Sequence, residues 1–399
     1  MRTCPARGRS AFQGTLDAGK RGRSPPRNKT VSTRGDAALT IVQLTNSTNR
    51  SGGTRQALVL ARGLQERGHR VMVCGAEGGW LLREARQAGL ETVPLAFEGL
   101  TRIWGCSRTL RRLAVEAGVD VIHAHHNQGH ILALLSTVGG GFPPVVANRG
   151  VLFRPEFPAK FRSQRTAAII TNSQAVKGVL TAVGVPAAKI HVVPNAKELP
   201  DLERLRSRLP ALRRELRLEG EGPVVGAVGS GRAEKGFQFL VDAAPAILRR
   251  FPRAAFVLVG SGTGRLEPQL AGLSITEHFR LPGHRADAVD LMGLFDVLAF
   301  PSIGMDSCPN VVLEAMGVGL PVVGAAVGGV PEMVEEGVTG RLVPPGDAAR
   351  LAEALIEVVG SPEEARVMGE RGRQTLRRRF SLAAKVEATL AVYREVLLP

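Results

Sequence analysis

Short apolar runs alternate with helix-like stretches twice along this chain of 399 residues, and this alternation limits the folds open to it. The first series is LTIVQLTN (39–46), RVMVCG (70–75), DVIHAHH (120–126), PVVANRG (144–150), AAIITNS (167–173) and KIHVVPN (189–195). The second is PVVGAVGS (223–230), AAFVLVGSG (254–262), HFRLPG (278–283), DVLAFPS (296–302) and PVVGAA (321–326). Strands separated by helices form βαβ units and parallel sheets. The sequence therefore predicts an α/β protein with two Rossmann-like, doubly wound domains that face each other across a cleft.

The segment before the first series differs from the rest in composition. Residues 1–36 are rich in Arg, Gly, Ser and Pro, hold nine basic and two acidic residues, and show almost no apolar periodicity. Such a composition indicates a disordered, basic N-terminal extension. We predict an N-terminal domain at 37–195, a linker at 196–222, a C-terminal domain at 223–380 and a terminal helix at 381–399 that packs back on the N-terminal domain.

The net charge indicates which binding partners the protein favours, and the cysteine content indicates its cellular compartment. The formal net charge of +16 favours anionic partners, such as nucleotides or an acidic lipid surface. No RNA-binding aromatic motif or zinc-finger spacing occurs, and we expect no nucleic-acid partner; nucleic-acid binding by the basic extension stays an alternative. The four cysteines form no CxxC pair, which indicates reduced thiols. No apolar run reaches about 18 residues, so we expect no membrane span. We expect a cytoplasmic protein, either free or peripheral on the inner face of the plasma membrane.

The segment FPSIGMDSCPNVVLEAMGVG (300–319) contains the residues best suited to bind a ligand. A strand is predicted to end at Ser302, and a helix to begin with Asn310 as its N-cap. The free amides of Val311 and Val312 would then face outward at the positive end of the helix dipole. Such a helix end suits a diphosphate.

Two carboxylates flank this helix start. Glu314 can accept hydrogen bonds from vicinal hydroxyls such as those of a ribose, and Asp306 can reach other hydroxyls. Taken singly, Glu314 is also compatible with a dipole-stabilising surface residue, and Asp306 with a turn residue. Their spacing resembles the acidic-x7-acidic signature of glycosyltransferase family 4, which has the GT-B fold and retains the anomeric configuration. The sequence EAMGVGLPVVGAAVGGVPEMVEEGVTGRLVPPGD (314–347) is also similar to that family, and the likeness extends from Leu39 onward.

The resemblance implies roles for both acids and for a basic loop. By the family pattern, Glu314 binds the donor ribose and Asp306 contacts the donor sugar, although the family usually has Glu at this first position. Arg232 and Lys235 lie in GSGRAEKG (229–236), which by itself is either a solvated loop or a phosphate-binding turn. The resemblance implies that they hold the donor diphosphate, with Lys235 the closer match.

A glycine pair and a histidine cluster complete the candidate site. Gly52 and Gly53 follow the first strand, where they form either a plain turn or a close backbone approach to a ligand; the resemblance favours contact with the diphosphate. The sequence VIHAHHNQGH (121–130) matches no zinc-binding pattern, so we expect no metal there. Strand alternation puts His123 and His125 on one face. The resemblance implies that His125 contacts the donor sugar.

We expect neither a cofactor nor a metal. GSGTGR (260–265) follows a strand, but no acid ends the next strand, which argues against nicotinamide binding. No DxD motif and no GxxxxGK[ST] motif occurs. The chemistry would instead depend on stabilisation of the departing diphosphate by cations and a helix end.

The resemblance thus implies a retaining glycosyltransferase, and the absence of a DxD motif leads us to expect a metal-independent one. It would transfer a sugar from a nucleotide diphosphate sugar to a hydroxyl of a saccharide or lipid-linked acceptor, in cell-surface polysaccharide, lipopolysaccharide or glycolipid synthesis. Asn148 and Arg149, at the end of a strand, are candidates for contacting the acceptor. Two alternatives remain: a nucleotide-sugar epimerase or phosphorylase on the same fold, and a non-catalytic nucleotide-sugar-binding subunit.

Overall fold

The computed structural model describes residues 37–97, 100–218, 220, 222–304 and 306–398. The predicted extension at 1–36 lies outside the described residues. From Ala38 onward the chain is one compact unit that contains two parallel β-sheets.

Seven strands form the N-terminal sheet: β1 (Thr40–Leu44), β2 (Arg70–Ala76), β3 (Glu91–Leu95), β4 (Val121–Ala124), β5 (Val145–Arg149), β6 (Thr166–Thr171) and β7 (Ile190–Val192). Their spatial order is β3-β2-β1-β4-β5-β6-β7, and every pairing is parallel. The helices of this half are α1 (Gly52–Glu66), α2 (Trp80–Gln87), α3 (Leu100–Glu116), α4 (Asn127–Ser136), α5 (Ala159–Arg162) and α6 (Gln174–Thr181). Ile41 and Val42 point to opposite faces of β1, and both are fully buried because helices cover the two faces.

A connecting helix, α7 (Leu202–Glu215), leads into a second sheet with the spatial order β10-β9-β8-β11-β12-β13. Its strands are β8 (Val224–Val228), β9 (Ala255–Val259), β10 (Phe279–Gly283), β11 (Val297–Phe300), β12 (Val322–Ala325) and β13 (Gly340–Val343). The helices are α8 (Phe237–Arg250), α9 (Glu267–Gly272), α10 (Ala288–Met292), α11 (Asn310–Val318), α12 (Val330–Met333), α13 (Ala348–Gly360), α14 (Pro362–Arg379) and α15 (Leu382–Leu397). All pairings in this sheet are parallel too.

The predicted α/β fold with two doubly wound sheets is confirmed. All eleven apolar runs contain a strand, but the prediction misses β3 and β13. Both are edge strands: β3 contains Pro94 and buries only Leu95, while β13 is half-exposed at Arg341 and Leu342. An edge strand buries less surface than a central one, so its apolar signal in the sequence is weak.

The C-terminal helix α15 packs against the N-terminal sheet and its helix α1. Val386, Leu390 and Tyr393 belong to the same buried cluster as Ile41 of β1. A Cβ at Gly63 of α1 would lie only 2.6 Å from Val386 Cγ2, so glycine permits the close approach of the two helices. Among the described residues, no helix combines the length and the apolar character needed to cross a membrane.

Candidate functional site

A cavity of about 760 Å³ lies between the two sheets, at the carboxyl ends of their central strands. Ligands of doubly wound folds bind at such strand ends. Eight of the ten predicted site residues line this cavity: Gly52, Gly53, His125, Arg232, Lys235, Asp306, Asn310 and Val311. Val312 and Glu314 are not part of its wall.

The N-termini of two helices converge on the cavity, one from each sheet. Helix α1 begins at Gly52, where Ser51 is the N-cap and accepts a hydrogen bond from the Thr54 amide. A Cβ at Gly52 would lie 3.4 Å from Asn310 Nδ2, at the start of α11, so the two helix ends are close neighbours. In the described structure, the amides of Gly52 and Asn310 donate no hydrogen bond to another residue. Two positive helix ends therefore face one cavity, as an anion site requires.

The start of α11 corrects two details of the prediction. Pro309 occupies the N-cap position, and the Asn310 side chain instead accepts a hydrogen bond of 3.1 Å from Gln56 Nε2. The Val312 amide donates to the Pro309 carbonyl at 3.2 Å, and the Val312 side chain is fully buried in the C-terminal core. Val312 therefore offers no group to a ligand, and the amides available at this end are those of Asn310 and Val311.

Lys235 and Asp306 form an ion pair inside the cavity. Lys235 Nζ donates to Asp306 Oδ1 at 2.7 Å, and Ser302 Oγ donates to Asp306 Oδ2 at 2.5 Å. Lys235 ends a 3-10 turn that is followed by Gly236, which has a φ of 72°. A Cβ at Gly236 would lie 1.9 Å from the Pro301 carbonyl oxygen, so only glycine allows this turn to pack beside the end of β11.

Arg232 is less enclosed than Lys235. Its guanidinium forms an ion pair of 3.0 Å with Glu234, and both side chains are exposed. An exposed ion pair contributes little energy, so the guanidinium is free to turn toward an anion in the cavity.

Glu314 faces the N-terminal half of the molecule. Its Oε1 accepts a hydrogen bond of 2.7 Å from Lys197 Nζ, and Arg55 Nη2 lies 4.0 Å away. The carboxylate is largely buried, so these two cations offset the cost of its desolvation. A ribose at this carboxylate would have to share it with Lys197.

His125 belongs to a buried hydrogen-bonded chain. His125 Nε2 bonds Gln43 Oε1, Gln43 Nε2 donates to Tyr393 Oη at 3.2 Å, and Tyr393 Oη bonds His123 Nδ1 at 2.7 Å. An amide oxygen only accepts, so Nε2 of His125 holds the proton and Nδ1 is left as an acceptor. Burial, followed by repulsion from His123, lowers the pKa of His125 well below its usual value, so the ring is neutral at physiological pH.

Gln56 and Lys385 are site residues that sequence reasoning missed. Gln56 Oε1 accepts hydrogen bonds from Lys385 Nζ at 2.8 Å and from the Ala196 amide at 3.0 Å. Its Nε2 donates to Asn310 and to the Ala196 carbonyl, so one side chain connects α1, α11, α15 and the segment between the sheets. Burial lowers the pKa of Lys385 to about 8. No local pattern marks either residue, because the partners come from distant parts of the chain.

The described part of the chain contains no cluster of three or more His, Cys, Asp or Glu side chains that could hold a metal ion. The Lys235–Asp306 ion pair lies in the cavity, and the Lys197–Glu314 ion pair lies outside its wall.

Two family models match the chain, one on each half. The model described as "Glycosyltransferase Family 4" matches residues 50–198, and the model "Glycosyl transferases group 1" matches residues 222–361. Together they cover the strands of both sheets except β1, and most of the cavity wall.

Curated relatives share about a third of their aligned residues with this chain. The D-inositol 3-phosphate glycosyltransferase of Saccharomonospora viridis is 36% identical over 211 residues, which are 49% of this chain and 48% of that protein. The 2-deoxystreptamine glucosyltransferase of Streptomyces kanamyceticus is 31% identical over 59% of this chain and 62% of its own length. The phosphatidyl-myo-inositol mannosyltransferase of Mycobacterium leprae is 30% identical over 63% of this chain and 67% of its own length. The chain thus spans about half to two thirds of these relatives.

Solved structures match over nearly the whole described chain. Anabaena Alr3699/HepE in complex with UDP superposes with a TM-score of 0.78 and 22% identity, over 90% of this chain and 100% of that chain. A glycosyltransferase from Rickettsia africae superposes with a TM-score of 0.81 and 20% identity, over 90% of this chain and 99% of that chain. At this level of identity the likeness shows the fold, which is GT-B.

Proposed function

Because the chain belongs to glycosyltransferase family 4, we propose that it transfers a sugar from a nucleotide diphosphate sugar to an acceptor hydroxyl, with retention at the anomeric carbon. The observation that carries this proposal is the convergence of two helix N-termini and Lys235 on one cavity. The amides of Gly52, Gly53, Asn310 and Val311 and the cations of Lys235 and Arg232 are the kinds of groups that bind a diphosphate.

In the proposed reaction, the bond between the anomeric carbon and the diphosphate oxygen breaks and its electron pair stays on the diphosphate. Lys235, Arg232 and the amides of Gly52, Gly53, Asn310 and Val311 would stabilise that negative charge. The acceptor oxygen would form the new bond on the same face of the sugar, and its proton would pass to the departing diphosphate oxygen on that face. Asp306 and His125 Nδ1 are hydrogen-bond acceptors, and in our proposal they orient hydroxyls of the donor sugar.

The donor and the acceptor would bind to different halves. We propose that residues 223–380 form the donor domain and residues 37–195 the acceptor-side domain, joined by the linker 196–222 and by the terminal helix at 381–399. The named acceptors of two relatives, inositol 3-phosphate and phosphatidyl-myo-inositol, support a lipid-linked or saccharide acceptor in glycolipid or cell-surface polysaccharide synthesis. Such an acceptor fits a cytoplasmic enzyme that is peripheral on a membrane.

A panel of UDP-, GDP- and ADP-sugars, tested for thermal stabilisation of the purified chain, would test the proposed function. A ligand at 100 times its dissociation constant adds about 2.7 kcal/mol to the free energy of unfolding. Product analysis with and without acceptor then separates a transferase from an epimerase or a phosphorylase. Absence of stabilisation by every nucleotide sugar and every free nucleotide diphosphate would refute the proposal.

Replacing Glu314 should weaken donor binding. We expect Glu314→Gln to raise the dissociation constant of the donor about 10- to 100-fold, since a hydrogen bond to a charged group contributes about 1.5–3 kcal/mol. Calorimetric titration of the donor measures this change. Glu353→Gln, an exposed change on α13, is the matched control. Lys197→Met removes only the ion-pair partner of Glu314. If Glu314→Gln and Lys197→Met lost the same donor affinity, the carboxylate would have no ribose contact of its own.

Activity should persist in excess EDTA. The proposed site neutralises the diphosphate with cations and helix ends, and these do not depend on a divalent ion. Initial rates with and without the chelator should agree. Complete loss of activity that Mg²⁺ or Mn²⁺ restores would contradict the expectation.

A further inference from the structure

A second cavity of about 290 Å³ adjoins the central one at the N-terminal sheet. The two cavities share five wall residues: His125, His126, Asn148, Gly150 and Val151. None of the proposed diphosphate ligands lines the second cavity. A molecule in it would therefore lie beside the reacting sugar, on the side away from the diphosphate.

Cationic side chains outnumber carboxylates in the wall of this second cavity. Arg149, Arg154 and Lys160 line it together with one acid, Glu156, and none of the three cations forms an ion pair within the described residues. Arg149 and Lys160 both lie on the ring of Phe161, at 5.5 and 5.0 Å from its centroid. Burial and the repulsion from Arg149 lower the pKa of Lys160 to about 8. Both cations thus lie beside one aromatic ring without an ion-pair partner, and an anion in the cavity would stabilise their charged forms.

Two buried polar atoms in the same wall lack partners. His130 is 2% exposed, and neither its Nδ1 nor Arg149 Nε has a hydrogen-bond partner among the described residues. The Thr166 hydroxyl donates to the Lys160 carbonyl, so it must accept the 2.9 Å hydrogen bond from His130 Nε2. His130 Nδ1 is then an acceptor and Arg149 Nε a donor. A ligand that carries both an anionic oxygen and a hydroxyl would satisfy both atoms.

We propose that Arg149, Arg154 and Lys160 form a basic subsite that binds a phosphate group of the acceptor, while His130 Nδ1 accepts a hydrogen bond from an acceptor hydroxyl. This inference rests on the proposed function, because the subsite specifies the acceptor of the same reaction. With its phosphate in the basic subsite, the acceptor would present a hydroxyl beside His125 and Asn148. Phe153 and Phe157, 59% and 62% exposed, form an apolar rim at the mouth of the subsite. The phosphate belongs either to a lipid headgroup or to a water-soluble phosphate monoester.

Phosphate binding to the nucleotide-loaded chain tests the subsite. The full chain is first saturated with the nucleotide diphosphate that binds best, which tests the proposed function separately and fills the diphosphate site. Inorganic phosphate is then titrated at constant ionic strength against chloride, and the melting temperature gives an apparent dissociation constant. We expect phosphate to stabilise the native chain, and Lys160→Met to weaken its binding about tenfold or more. Lys160→Met removes the charge and keeps an apolar stem on Phe161.

Two further variants serve this test, one as a control and one as an alternative to Lys160→Met. Arg165→Gln removes an exposed cation of the same domain outside the cavity, and it should bind phosphate as the native chain does. Arg149→Lys keeps the charge but loses the two-nitrogen fork, and it serves if Lys160→Met does not fold. Equal phosphate binding by all the variants, or no stabilisation beyond chloride in the native chain, would overturn the proposal.

Glycerol 1-phosphate in solution and vesicles of phosphatidylglycerol in phosphatidylcholine distinguish the two sources of the phosphate. Binding of either probe that Lys160→Met weakens and Arg165→Gln leaves unchanged supports the subsite, and the probe that binds identifies the source. Binding of both probes that is insensitive to Lys160→Met would overturn it. Nucleotide binding should be the same in all these proteins.

Discussion

Lys235→Met should lower the turnover number about 100- to 1,000-fold and change donor affinity far less. Removal of one preorganised donor from a developing anion typically has an effect of about this size. The charge on the diphosphate grows as the bond to the sugar breaks, so a cation beside it stabilises the transition state more than the bound donor. Single-turnover rates and donor titrations on the same variant separate the two quantities.

Because Lys235 and Asp306 form an ion pair, a double variant can show whether Lys235 contacts the donor or only neutralises Asp306. If Lys235 only neutralises Asp306, the second change Asp306→Asn should restore much of the activity lost in Lys235→Met. If both side chains contact the donor, the double variant should be less active than either single one, and Asp306→Asn alone should lose about 1.5–3 kcal/mol of transition-state binding. Arg265→Gln, an exposed change in the same domain, controls for net charge. Rescue of Lys235→Met by Asp306→Asn would refute the catalytic assignment.

The parts of the site that the sequence predicts are those encoded within short segments. Gly52 and Gly53 follow β1, Lys235 follows β8, and Asp306 follows β11. In a doubly wound fold, residues at the carboxyl ends of parallel strands meet at one edge of the sheet. The strand pattern and the position of each loop were therefore sufficient to predict that these residues meet in one cavity.

Contacts between distant segments could not be predicted in this way. Lys385 bonds Gln56 across 329 positions, and Tyr393 bonds Gln43 across 350. These residues are ordinary within their own helices and strands, and only the return of α15 to the N-terminal sheet makes them site residues. The error at Val312 has a different cause: the helix begins one position earlier than an Asn310 N-cap implies, so the free amides are also one position earlier. Helix ends are the least predictable boundaries, and here the boundary decides which amides face the ligand.

Acidification should destabilise the fold by about 4 kcal/mol between about pH 7.5 and pH 5, through two buried histidines alone. Burial lowers the pKa of His123 to about 3, with a further contribution from Lys385, and burial lowers the pKa of His130 to about 3, with a further contribution from Lys160. In the unfolded chain both rings take up protons near their ordinary pKa of about 6.5. Between these values the unfolded state binds more protons than the native state, so stability falls as the pH falls.

The slope of the free energy of unfolding against pH shows whether these two histidines cause the effect. This slope can be compared between variants even where a substitution changes the stability at neutral pH. Each buried neutral histidine contributes about 1.4 kcal/mol per pH unit below its unfolded pKa. Urea unfolding at several pH values between about 7.5 and 5 stays above the range in which most carboxylates take up protons. His123→Gln and His130→Gln should each reduce the slope by about 1.4 kcal/mol per pH unit, while His284→Gln, at an exposed position, is the matched control. An unchanged slope in both buried variants would mean that these rings are already protonated in the native protein. A protonated His123 would donate to Tyr393 Oη, and the neutral form of the hydrogen-bonded chain from His123 to His125 would then be wrong.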